Sequence, residues 1–122
     1  MVTKSDLATQ VSQRVDGIPA AVTSSVIEDY IEYSHIEVEN LTGDGFATTD
    51  IPTKYQPILI DMGTVKTIEY MITHGISSGG LSVSSGDLER KRNEIQKRVD
   101  RSISNLIRTK GSMFTTEPQE NG

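Results

Sequence analysis

A chain of 122 residues has the size of one domain and leaves little room for two. Hydrophobic residues make up 34% of it, and Leu, Ile, Val and Phe together number 30: enough for two or three amphipathic helices, but thin for a broad two-sided sheet. Cys and Trp are absent and His occurs twice, which excludes disulfides, thiolate metal sites, Cys nucleophiles and three-His metal centres.

Ser5 opens the first helical pattern, with Leu7, Ala8, Val11 and Val15 on one face and Asp16–Gly17 as its stop. Pro19 suits the first turn of a second helix, expected from about Ala20 to Asn40. Its apolar positions fall in two adjacent stripes, Val22–Val26–Tyr30–Tyr33 and Ile27–Ile31–Ser34–Val38–Leu41. Glu28, Asp29, Glu32, Glu37 and Glu39 mostly face elsewhere. After a break at Thr42–Gly43–Asp44–Gly45, a third helix starts between Pro52 and Pro57, because proline is tolerated only in or before a first turn. Tyr55, Ile58, Leu59, Met62, Val65, Ile68, Glu69 and Ile72 form its stripe, with Glu69 the one polar member. Gly63 lies inside this helix at a cost of about 1 kcal/mol relative to Ala, for which close approach of a neighbouring helix is the expected gain. His74–Gly75 supplies the stop.

Residues 76–86, rich in Gly and Ser with Leu81 and Val83 alternating between serines, read as a loop or short β-arm. Asp87 caps a fourth helix expected to reach about Thr109, its narrow stripe being Leu88, Ile95, Val99, Ser102, Ile103 and Leu106. The division expected is therefore an all-α domain of about four helices over residues 1–110, then a polar, flexible tail over 111–122.

Charge is unevenly spread along these elements. Residues 1–86 carry eleven acids and four bases, a balance of −7. Residues 87–110 carry four acids and eight bases, a balance of +4, and the tail adds −2. No apolar run is longer than Ile58–Leu59–Ile60, so no membrane span is expected. Met1 to Gln10 has no apolar core that would mark a signal peptide, leaving an intracellular or virion protein as the expectation.

Few residues invite chemistry. The glycines of 75–86 lack the Lys-Ser/Thr and the preceding strand of a phosphate loop. His35, with Glu39 one turn on and Glu32 one turn back, offers ligands on a single helix, a pattern better read as a solvated acidic face. There is no Gly-x-Ser-x-Gly elbow, and His74 is read as a cation at a helix C-terminus. No catalytic residue, metal site or cofactor is expected. The sharpest feature is the basic run Arg90, Lys91, Arg92, Lys97, Arg98, Arg101, Arg108 and Lys110. It could track a nucleic-acid backbone, although no aromatic residue lies between Tyr70 and Phe114 for base stacking and acids interrupt it. It could also meet the acidic helix, in the same chain or in a neighbour.

The order of parts is an acidic Pro-started helix, the helix "IPTKYQPILIDMGTVKTIEYM", the segment Ser82–Val83–Ser84–Ser85–Gly86–Asp87 and a last basic helix. This order resembles the small all-helical head–tail connector (adaptor or head-completion) proteins of tailed bacteriophages. The resemblance implies a structural virion protein at the head–tail junction, assembled in the host cytoplasm. It would form a homo-oligomeric ring of about twelve copies between the portal protein and the next neck or tail protein. DNA would pass through the ring without sequence-specific binding. It also implies an inter-subunit arm containing Ile76, Leu81, Val83 and Gly86, and a docking tail with Met113 and Phe114 as apolar anchors. Head-to-tail packing would then bring Glu28, Asp29 and Glu32 of one copy against Arg90, Arg92, Lys97, Arg98 and Arg101 of the next. The alternative function is a small nucleic-acid-binding regulator using the basic 90–101 helix, and a third is another virion or assembly-chaperone part.

Overall fold

The computed structural model describes residues 1–15, 17–74 and 85–114, with Ser85 and 109–114 as backbone only. Among these residues every regular element is helical: α1 (Lys4–Arg14), α2 (Ser24–Thr42), a 3-10 turn (Thr53–Tyr55) leading directly into α3 (Gln56–His74), and α4 (Ser85–Phe114).

Helix ends follow side-chain chemistry that stripe reading displaces by a few residues. Thr3, not Ser5, caps α1: its hydroxyl accepts from the Asp6 amide while the Asp6 carboxylate accepts from the Thr3 amide, a capping box. Thr23 caps α2 by accepting from the Val26 amide, so the helix begins four residues later than expected and Pro19 lies in the preceding turn. Gly43 closes α2 in the left-handed conformation, at φ 79°. Asp87 sits in the first turn of α4, where its charge favours the helix dipole, and α4 starts at Ser85. Gly86 is therefore helical and does not belong to an arm; Ile76, Leu81 and Val83 lie outside the described residues. At the other end α4 continues to Phe114, so the backbone of 111–114, Met113 and Phe114 included, is helix instead of tail.

α3 is the axis of the bundle. It is buried along an almost unbroken run from Ile58 to Val65 and again at Thr67, Ile68 and Met71, with α1, α2 and α4 packed around it. Its polar interior residues are satisfied locally: Thr64 and Thr67 donate to the carbonyls of Ile60 and Gly63, at 2.7 and 2.9 Å. Gly63 is where two neighbours come closest. A Cβ there would lie 2.7 Å from Ile31 Cδ1 of α2 and 3.2 Å from Val11 Cγ2 of α1. Glu69 lies at the exposed edge of the stripe, and the buried carboxylate of α3 is Asp61.

The segment between α2 and α3 is pinned at several points. Phe46 sits between His35 of α2 and Tyr55, with centroids 4.3 and 4.8 Å away. Tyr55 donates its hydroxyl hydrogen to Asp44. Two backbone bonds, Lys4 N–H to Thr48 O at 2.9 Å and Ile51 N–H to Val2 O at 2.8 Å, tie this segment to the residues that lead into α1.

Candidate functional site

The basic helix has two kinds of cation. Those on its inner flank are engaged with the rest of the chain. Arg98 donates from Nε and one Nη to the two oxygens of Asp61, both at 2.8 Å, and Arg14 of α1 donates to the same carboxylate at 2.8 Å. Asp61 is 5% exposed, so three helices meet at one desolvated charge. The hydrogen bonds from Asp61, and then its charge, hold the Arg98 guanidinium protonated even more firmly than an ordinary arginine. Arg92 faces Glu69 at 3.8 Å and Lys91 donates to the Arg14 carbonyl at 2.6 Å, so the inner cations of α4 find their polar partners on α3 and at the end of α1. No ion pair among the described residues joins α4 to the acidic helix α2.

The second kind lies on the outer side. Arg90, Lys97, Arg101 and Arg108 repeat at steps of seven, four and seven, which puts them on one face opposite the buried Leu88, Ile95 and Val99. Arg90 is paired within its own helix to Asp87 at 3.1 Å. Lys97, Arg101 and Arg108 are exposed and make no ion pair among the described residues. The row from Arg90 to Arg108 is about 27 Å long at 1.5 Å per residue.

α2 presents the opposite sign. Glu32 is held by Lys4 at 3.4 Å and Thr48 at 3.3 Å, and Glu37 by Lys66 of α3 at 3.2 Å. Glu28 and Asp29 make no ion pair among the described residues. The buried side is the second of the expected stripes, Ile27, Ile31, Ser34 and Val38, joined by His35 and Thr42. Leu41, expected inside, is 50% exposed, and Tyr33 is 56% exposed with Ile36 at 46%. Of the first stripe Val22 is buried, Val26 and Tyr30 pack partly buried against the core, and only Tyr33 faces outward. An apolar row thus faces outward among carboxylates. Beside it a groove of about 500 Å³ runs between α2, α3 and α4, lined by Leu41, Met62, Val65, Val99 and Ile103 and spanned by the Glu37–Lys66 pair.

His35 occupies a different environment from the solvated face expected of it. It is 8% exposed, and neither ring nitrogen has a hydrogen-bond partner. Glu32 Oε2 approaches Nδ1 at 3.7 Å and Glu39 Oε1 approaches Nε2 at 3.8 Å. The two carboxylates face opposite edges of the ring, so they cannot share one ion with a single imidazole nitrogen. Among the described residues no three His, Asp or Glu side chains converge as a metal site. His74 sits in the last turn of α3, stacked on Tyr70 with centroids 4.2 Å apart. No helix among the described residues is long and apolar enough to cross a membrane.

No protein-family model matches the chain, and neither does any curated protein or solved structure.

Proposed function

We propose that the chain is a non-enzymatic structural subunit that assembles head to tail, as in the helical head–tail connectors of tailed bacteriophages that its sequence resembles. In this reading it sits in the virion between the portal and the next neck or tail protein. A ring of copies there extends the channel through which DNA passes. The observation that carries the reading is two sets of solvent-accessible charge of opposite sign, without ion pairs among the described residues, on two different helices. Glu28 and Asp29 lie on α2, and Lys97, Arg101 and Arg108 lie on α4. Two different complementary surfaces on one protomer form a heterologous contact, and repetition of such a contact closes into a ring or runs on as a filament. The thin core has the same sense, since large apolar side chains of α2 remain outside it.

Light scattering at about 0.05 and 0.5 M salt, with and without portal protein, tests the reading, because exposed charge pairs are screened at the higher salt. The expected result is an assembly, alone or on the portal, that weakens as salt rises. A chain that stays monomeric in both mixtures and binds duplex DNA with a steep salt slope overturns it in favour of a nucleic-acid-binding regulator.

A further inference from the structure

We infer that the outer face of α2 is the seat for the outer face of α4 from a second copy, the two helices running parallel. This rests on the assembly reading above and specifies its contact. The outermost row of α2 is Asp29, Tyr33, Ile36 and Asn40; that of α4 from its middle onward is Lys97, Arg101, Ser104 and Arg108. All eight are exposed. Both rows advance by four, three and four residues, the alternation that keeps two helices in contact along a shared seam of about 16 Å.

Set in parallel, the rows match in chemistry at each level. Asp29 meets Lys97, a charge pair. Tyr33 meets Arg101, and a guanidinium over a phenol face is a favourable stack. Ile36 meets the small Ser104, which lets the backbones approach, and Asn40 meets Arg108. The flanks agree as well. In a parallel pair, the residue one position after Asn40 and the residue one position before Arg108 lie on the same side of the seam. These are Leu41 and Ile107, 50% and 42% exposed, the exposed large apolar side chains nearest the C-terminal ends of the two rows. An antiparallel pairing puts Leu41 and Ile107 on opposite sides and leaves both in water. A second copy is favoured over a nucleic-acid backbone because the α4 row is flanked by the exposed Ile107 and matches a row of the same chain that contains Tyr33 and Ile36. A phosphate backbone has no use for either.

The absence of Cys from the chain allows a direct test. Ile36→Cys and Ser104→Cys are introduced together and the protein is oxidised under the conditions in which light scattering detects assembly. Because each protomer then carries one thiol of each kind, the expected product is a ladder of covalent dimers, trimers and higher species on a non-reducing gel. Each single variant gives at most a dimer. A second pair, Asp29→Cys with Lys97→Cys, is expected to give the same ladder and guards against a local packing failure in the first. Assembly that persists while neither pair cross-links between chains overturns this contact and leaves the assembly reading standing. A protein that is monomeric before oxidation, with portal present, overturns the assembly reading itself. In parallel, Asp29→Lys is expected to weaken association about tenfold, and Lys97→Asp in the same chain to restore it. If Lys97→Asp instead abolishes duplex DNA binding and leaves association untouched, the row serves nucleic acid and the inference falls.

Discussion

Among the described residues, Asp61 is the polar side chain that ties the most helices together. It takes three donated hydrogen bonds at 2.8 Å from two arginines of different helices, in a position 5% exposed. Breaking a fully buried ion pair costs about 3–5 kcal/mol. The Arg14 and Arg98 side chains are 41% and 53% exposed, so water recovers part of that loss. Asp61→Asn is expected to cost about 2 kcal/mol, measured as a drop in the urea midpoint without a change in slope. Asp61→Leu combined with Arg14→Met and Arg98→Met is expected to recover most of it, because no charge is then left facing an empty partner. Tyr55 provides a pH-dependent counterpart. Burial first, and the bond to Asp44 second, push its phenol up to about 12 from an ordinary value of 10.0. A raised value in the folded state means that the folded chain keeps a proton the unfolded chain gives up. The resulting stabilisation is complete below pH 10 and is lost as pH rises toward 12. Comparing denaturant midpoints of the native chain and Tyr55→Phe across that window checks this: the gap between them is expected to narrow as pH rises.

At the scale of the elements, α3 governs what the others can do. A helix with one buried stripe tolerates small changes on its far side, whereas α3 is enclosed on nearly every side between Ile58 and Ile68. Gly63 shows the consequence. Replacing it by Ala gains about 1 kcal/mol of helix propensity but puts a methyl 2.7 Å from Ile31 and 3.2 Å from Val11, both fully buried. Overpacking of this kind costs about 1–3 kcal/mol, so Gly63→Ala is expected to lower the melting temperature by a few degrees. Gly63→Leu is expected to abolish cooperative unfolding.

The four-helix order, the core face of α1 and the close packing at Gly63 are legible in the amino-acid order, because periodicity and glycine placement act locally. The burial of Asp61 is not legible, since a carboxylate in a helix interior reads as solvent-facing until the arginines that neutralise it, 47 residues before and 37 after, are brought beside it. Tyr33 and Leu41 go wrong for a related reason: α2 has more apolar positions than α3 has surface to cover them. The stripe pattern of α4 is clear in the sequence, but which of its cations are spoken for depends on Glu69, Asp61 and Arg14, none of which its own periodicity reveals.

For the molecule as a whole, two classes of charge respond differently to salt. The Arg14–Asp61–Arg98 group is partly shielded from solvent, whereas Lys97, Arg101, Arg108 and Asp29 stand in it. Raising salt from about 0.05 to 0.5 M is therefore expected to dissociate the proposed assembly while shifting the thermal unfolding of the isolated protomer by only about a degree or two. Calorimetry alongside sedimentation separates the two effects. If both transitions moved together, the protomer would owe its stability to its neighbours.

The paired bonds between Lys4 and Thr48 and between Ile51 and Val2 have a further consequence. They join stretches more than forty residues apart at neighbouring points, residues 2 and 4 on one side and 48 and 51 on the other. Deuterium uptake at Lys4 and Ile51 should rise in step, at one rate set by the shared opening event. The start of the chain and the segment between α2 and α3 would then breathe as a single flap.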